Sequence, residues 1–226
     1  MYVMLKYDIT NQKWETNVAK ISKRGSERYE KFVQAGLDIF LEKGYENTSL
    51  TDIIKKSGGS LASIYKFFQN KEGLFRAILE RGFDQFYNKI CEKIDLRSTY
   101  EIEDFLSKFA TVLFDIICEK KSTLITRIVM SEGAKNDGKI GKYFLNQILD
   151  KVDKILIDFF SRENVKSKLN HDLSPTTAAA IFIALLRSPH HYYSVLLNKE
   201  IKLSKKERDK YVKICVDLFL NGAIRR

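Results

Sequence analysis

Between Ser60 and Lys71 the chain carries residue types suited to contact with a polyanion rather than to bond-breaking. At 100° per residue, Ala62, Ser63 and Lys66 fall on one side of a helix and Leu61, Ile64 and Phe68 on the other, with Tyr65 and Phe67 at the boundary. A small, polar, basic helix face without an acid is what the major groove of DNA admits: small side chains let the backbone approach base edges, and Lys pairs with phosphate or guanine. From Ile53 to Arg76 five basic residues (55, 56, 66, 71 and 76) stand against one acid, Glu72, a net of +4. The first 76 residues hold 13 basic and 9 acidic side chains, also +4, so the excess of this whole part of the chain lies in that stretch.

Catalytic patterns are missing. There is no G-x-S-x-G elbow, no G-x-G-x-x-G, no P-loop and no H-E-x-x-H. Two of the three histidines are adjacent, and neighbours on a helix project about 100° apart, a poor start for a three-ligand zinc site. Cys91, Cys118 and Cys215 are far apart and odd in number, which predicts buried thiols rather than a disulfide framework or a metal centre. The expectation is therefore no enzyme, no metal and no cofactor.

The elements that must position the basic face are legible. Ser49 followed by Asp52 forms a capping box that starts a short helix, Ile53 and Ile54 give it an apolar side, and Gly58-Gly59 stops it. Ser60 then caps the helix carrying Ala62, Ser63 and Lys66, completing a helix-turn-helix. Ahead of it, apolar positions 29, 32, 33, 36 and 40 predict an amphipathic helix from Glu27 to Lys43-Gly44, with Phe32, Val33 and Phe40 packed on Ile53, Ile64 and Phe68. Asn70 caps a fourth helix of about 20 residues running through Leu74, Ile78, Leu79, Phe83, Phe86 and Ile90. Lys71 lies in its first turn, where the helix dipole disfavours a cation unless an anion is near, so a DNA phosphate is expected there.

The run Arg28, Phe32, Ala35, Phe40, Gly44-Tyr45, Thr48-Ser49, Asp52-Ile53, Gly58, Ser60, Ile64-Tyr65, Phe68, Lys71-Glu72 and Leu74 resembles, in type and spacing, the N-terminal domain of TetR-type transcriptional regulators. Three positions depart from that pattern. Leu61 replaces a polar residue, Gly59 a small apolar one, and Phe67 a Tyr whose hydroxyl touches phosphate. The resemblance implies an all-α chain: a three-helix DNA-binding domain and a C-terminal helical domain for ligand binding and dimerisation. The expected boundaries are an extension at 1–23, the DNA-binding domain at 24–76 and the effector and dimer domain at 77–226. Lys20, Lys23, Arg24 and Arg28 are candidates for a basic arm along the DNA.

Farther on, apolar patterns at 102–117, from Leu124 to Met130 and at 145–159 each fit one helix, with a turn at Asn136-Asp137-Gly138 and a polar loop from Asn164 to Asp172. Ser174-Pro175 opens a helix rich in Ala, Ile and Leu, which Pro189 ends or kinks, placing His190-His191-Tyr192-Tyr193 near a bend. The final helix has an apolar stripe too wide for one partner. These last two helices resemble the family's dimer-forming pair, which implies an interface through Ala179, Phe182, Leu186, Tyr211, Cys215 and Leu218 and a two-fold homodimer reading palindromic double-stranded DNA.

For DNA contact the expected residues are Thr48, Ser60, Ala62, Ser63, Tyr65, Lys66 and Lys71, with Thr48, Tyr65 and Lys71 on phosphate. The family further implies a pocket for a small apolar or amphipathic effector, for which Phe86, Phe105, Phe109, Phe114, Arg127, Phe144 and Phe182 are candidates. Arg127 is placed to pair with Glu132 or with a ligand anion, and Arg187 and the paired histidines are similar. The function expected is an operator-binding repressor released by its effector, against an alternative of a dimeric helical adaptor that has lost specific DNA binding. Two prolines, 44% hydrophobic and 30% charged residues fit a helical globular chain, and its net +10 suits nucleic acid as well as plain surface lysines. No apolar run reaches the roughly 18 residues of a membrane span, and a cytoplasmic location with no membrane partner is expected.

Overall fold

The computed structural model describes residues 22–224 apart from Ala134, Asn136, Asp137 and His171. Lys20 and the first two residues of the turn expected at 136–138 lie outside the described residues. Every named element among them is helical, with one isolated bridge between Leu169 and Ile224.

Four helices build the N-terminal head. α1 (Lys23–Lys43) is capped by Ser22, whose hydroxyl accepts from the Gly25 amide, so it starts four residues before Glu27 and carries Lys23, Arg24 and Arg28 on a helix rather than on an arm. α2 (Leu50–Ser57) has the expected capping box: the Asp52 amide donates to Ser49 Oγ at 3.1 Å and the Ser49 amide donates to Asp52 Oδ2 at 3.0 Å. The Ser49 hydroxyl also donates to Asp52 Oδ2 at 2.6 Å, and this bond first and the one from the Ser49 amide second hold the Asp52 carboxyl down at about 2. Gly58 and Gly59, at φ 72° and 104°, turn the chain into α3 (Leu61–Phe68). α4 (Lys71–Lys93) begins at Asn70, whose side-chain oxygen accepts from the Gly73 amide.

Phe32, Val33, Phe40, Ile53, Ile64 and Phe68 are buried together as the periodicity predicts. Leu61 is not. It stands one turn before Ile64 at the helix end, joins neither core cluster and is 45% exposed. Tyr29 and Phe32 of α1 receive Phe67 and Phe68 of α3, with ring centroids 4.9–6.2 Å apart. Two of the family departures thereby acquire a packing reason. Phe67 fills an aromatic cluster, and at Gly59 a Cβ would stand 2.9 Å from Phe32 Cζ, so the large ring at 32 takes the space a side chain would need.

The C-terminal part is wrapped around α4. α5 (Ile102–Ile117), α6 (Lys120–Glu132) and α7 (Lys139–Ile148) follow, then a π-helical turn (Leu149–Asp153) and α8 (Lys154–Phe160). The single helix expected over 145–159 is thus interrupted: the wider π turn shifts the phase of the stripe while Ile148, Val152, Ile155 and Leu156 stay buried. Within the expected polar loop a short α9 (Glu163–Lys166) forms because Val165 and Leu169 are buried. α10 (Pro175–Arg187) is capped by Ser174. After Pro189 the chain re-forms as α11 (His190–Leu197) where only a bend was expected, and α12 (Lys205–Ala223) opens with a second capping box, Ser204 with Glu207.

Two apolar clusters meet along α4. Phe86 and Ile90 belong to the upper one, while Leu74, Phe75, Ile78 and Leu79 belong to the lower one, which also takes Ile128 and Val129 from α6 and Ile140 from α7. A boundary at residue 76 or 77 therefore falls inside a continuous helix, and the head's core includes residues from the part that follows it.

Candidate nucleic-acid interface and interior cavity

α3 is held by its buried side, so its other side is presented outward. Ala62, Tyr65 and Lys66 are exposed, Ser63 is half-exposed, and Tyr65 packs on no ring of α1. The Ser60 hydroxyl accepts from the Ser63 amide at 3.2 Å and lies 3.0 Å from the Ser63 hydroxyl, so Ser60 fixes the helix end while both hydroxyls remain at the surface. Lys66, and Lys55 at the end of α2, have no ion pair among the described residues. Lys56 is 3.1 Å from Asp38, and Arg76 pairs with Glu72 beneath the Tyr143 ring. The excess of +4 read from the sequence is thus partly neutralised within the fold, and the uncompensated cations are those flanking the outward face.

Two expected phosphate contacts are corrected. Thr48 is buried and its hydroxyl donates to the Gly44 carbonyl at 2.7 Å, which closes the α1–α2 loop and leaves no surface for a phosphate. The Lys71 ammonium donates to the carbonyls of Tyr45 at 2.9 Å, Thr48 at 3.1 Å and Glu46 at 3.4 Å, and lies 4.5 Å from the Tyr45 ring centre. The partial negative charge that makes a cation tolerable in this first turn is supplied within the fold by carbonyl dipoles of the neighbouring loop. Dipole reasoning along the sequence identified the need for an acceptor but had no means to see one 23 to 26 residues away.

A cavity of about 500 Å³ lies between α4, α5, α6 and α7 and reaches the α10–α11 corner. Of the expected effector residues, Phe86 and Phe144 line it. Phe105, Phe109, Phe114 and Phe182 do not: all four are fully buried in the upper cluster, with Phe105 stacked on Phe159 at 3.7 Å and Phe182 edge-on to Phe219. Arg127 donates to the Val195 carbonyl at 2.5 Å, pairing neither with Glu132 nor with the cavity. Sequence reading missed Gly82, Phe83, Ile125 and Met130 as lining residues. Gly82 carried no steric signal, since a Cβ there would meet nothing within 4 Å and would point into open space.

The expected interface residues are also re-sorted. Ala179, Phe182, Leu186 and Cys215 are buried within this chain's own core, and Tyr211 is turned inward by a 2.8 Å bond from its hydroxyl to the Leu185 carbonyl. Leu218 alone of the set is outward, 61% exposed, accompanied by Ile181 and Ile214. A stripe wide enough for two faces does not say in sequence which face turns inward.

Residues 32–78 match the family model for bacterial regulatory proteins of the tetR family, and residues 104–222, over half the chain, match the model described as the C-terminal domain of AefR-like transcriptional repressors. The HTH-type transcriptional repressor ComR of Escherichia coli is 37% identical over 79 residues, covering 33% of this chain and 37% of that one. The negative regulator of the biofilm operon icaADBC, IcaR of Staphylococcus epidermidis, is 33% identical over 90 residues, 38% of this chain and 46% of that one. These matches thus span less than half the length of either relative. Among solved structures, a transcriptional regulator from Mesorhizobium loti superposes with a TM-score of 0.78 at 20% identity, over 90% of this chain and 100% of that one. FadR of Bacillus subtilis, solved with stearoyl-CoA, superposes at 0.68 and 17% identity over 86% and 98%. At such identities the superpositions establish the fold.

Proposed function

The chain belongs to the TetR family of bacterial transcriptional regulators, and on that basis we propose that it is a homodimeric repressor that binds a palindromic operator and is released by a small amphipathic effector. The observation that carries the DNA-reading part is the outward face of α3. Ala62, Ser63 and Lys66 are free of core contacts, with Tyr65 beside them and no acid on the helix. Ala62 and Ser63 sit at the N-terminal end, which in a helix-turn-helix meets the base edges, while Lys66 and Lys55 meet phosphate or guanine. The adaptor alternative loses support, since Gly59 and Phe67 have packing reasons that do not remove this face.

Dimerisation is proposed through the outward sides of α10 and α12, where Ile181, Ile214 and Leu218 leave an apolar face of the kind a helix pair buries against its two-fold mate. Two heads then read half-sites whose centres are separated by about 34 Å or a multiple of it.

Effector coupling is supported by shared residues. Ile78, Leu79 and Val129 line the cavity and are also members of the head's core, so a ligand that displaces them displaces the platform on which α1 and α3 pack. A second link is ionic: Lys135 bridges Glu132 at the end of α6 to Glu46 in the α1–α2 loop. Occupancy shifts the heads only by the difference in ligand affinity between the two head positions.

Selection of bound duplexes from a random pool by the purified chain tests the reading. Enrichment of a palindrome is expected, and Lys66→Ala should then cost about 1–3 kcal/mol and relax one symmetric pair of positions. Weak, salt-sensitive binding with no enriched sequence overturns sequence-specific regulation by this chain.

A further inference from the structure

At the α10–α11 corner, polar groups in the cavity wall and just behind it are left without hydrogen-bond partners. Arg187, the last residue of α10, lines the cavity with no hydrogen bond or ion pair among the described residues. His191, four residues later at the start of α11, lines it too, and its Nδ1 is buried without a partner. Asp153, at the end of the π turn, has a buried and unpartnered Oδ1; it acts on Arg187 through space without closing an ion pair. Burial is the larger influence on both, depressing the Arg187 guanidinium and raising the Asp153 carboxyl, and each group offsets only part of the other's shift. The remaining wall is largely apolar, with Phe83, Phe86, Ile125, Met130 and Phe144 among its residues. The other charges on the lining are Lys89, Lys121 and Glu119. Glu119 pairs with both lysines at 2.9 and 3.4 Å, so the charged lining sums to +2 with Arg187 included.

A guanidinium kept in an apolar wall is costly unless an anion meets it, and its planar fork matches a carboxylate through two parallel bonds. We infer that the cavity binds an amphipathic monocarboxylate, with its apolar body against the phenylalanines and its carboxylate on Arg187, and that the His191 Nδ1–H donates to the same group. Asp153 lies outside the lining and is pushed by burial toward its neutral form, so on the cavity side a single guanidinium and one neutral imidazole match one negative charge. A sugar or nucleotide would leave many polar atoms against an apolar wall, which is unfavourable. The inference rests on the cavity being the effector site and specifies what that site takes.

The test is calorimetry on the full-length chain without DNA, titrating decanoate, decanol and decylamine below their aggregation limits. Decanoate should bind about ten- to a hundred-fold more tightly than decanol, the contrast expected of charge-assisted bonds to a partly buried guanidinium, and decylamine most weakly. Arg187→Gln should weaken decanoate alone and bring the two within about two-fold. Gly82→Leu, which adds a side chain in open space at a residue of the cavity lining, should weaken both without loss of fold. Equal affinity for decanoate and decanol in the unaltered chain, or an unchanged ratio in Arg187→Gln, overturns the carboxylate anchor while leaving the cavity as an apolar effector site. Failure of all three compounds to bind, or binding indifferent to Gly82→Leu, overturns the cavity itself as the ligand site. Operator selection is scored separately and stands or falls on its own.

Discussion

Replacing Lys71 separates a structural tether from a DNA clamp. In Lys71→Met the aliphatic stem survives and the ammonium is removed, together with its bonds to the Tyr45 and Thr48 carbonyls at 2.9 and 3.1 Å, the longer one to Glu46, and its seat over the Tyr45 ring. Two well-formed bonds from a half-buried cation contribute about 1 kcal/mol each, and the ring contact about 0.5 kcal/mol, which gives a loss of about 2–3 kcal/mol. For a chain of this size that lowers the melting temperature by about 5–10 °C. A phosphate contact in each of two heads would instead contribute about 0.9 each to the slope of log affinity against log salt. The expected result is a lower melting temperature, a modest loss of DNA affinity from a loosened α1–α2 loop, and an unchanged salt slope. An unchanged melting temperature with a slope shallower by about 2 would mean that the ammonium leaves the carbonyls for phosphate, and would refute the tether.

Gly59→Ala forces a Cβ into left-handed backbone and to within 2.9 Å of Phe32, so a destabilisation of about 2–4 kcal/mol is expected in urea unfolding. Phe32→Leu should offset part of it in the double variant, and simple additivity would show that the two residues do not compete for space. Glu at both Ile181 and Leu218 should yield a monomer in sedimentation, whereas a persisting dimer would place the interface elsewhere. His191 is held down at about 4, by burial first and by Arg187 second, so below pH 6.5 the unfolded chain takes a proton that the folded one refuses. Stability from this group is complete above about pH 6.5 and is lost as pH falls toward 4. After allowance for its partial exposure the loss is about 1 kcal/mol at pH 5, and His191→Gln should remove that part of the difference between pH 7.5 and pH 5. An identical pH dependence in the variant would assign the loss to other groups.

The local signals in this sequence were sufficient for its head. Ser49 with Asp52, the two glycines at 58 and 59, Ser60 and Asn70 act within four residues of their own positions, and the helix ends they specify are those the structure has, because capping and positive φ are local properties. The 3.6-residue period likewise gave the buried faces of α1, α3 and α5. What the chain alone did not determine involves partners distant in sequence. The Lys71 ammonium found carbonyls from the α1–α2 loop, Thr48 turned inward, and the wide stripes of α10 and α12 divided into a buried and an outward face only once α5 and α8 had packed against them. The aromatics show the same limit. Phe86, Phe105, Phe109 and Phe114 are equivalent in periodicity, yet only Phe86 borders the cavity, because a void is defined by where several helices fail to meet and no single helix encodes that. Sequence therefore determined the capped helices of the head and most of the helices beyond it, while tertiary packing decided the π turn at Leu149–Asp153, the short α9 and the re-formed α11, which cations stay unpaired beside the outward face of α3, and which apolar surfaces border a cavity.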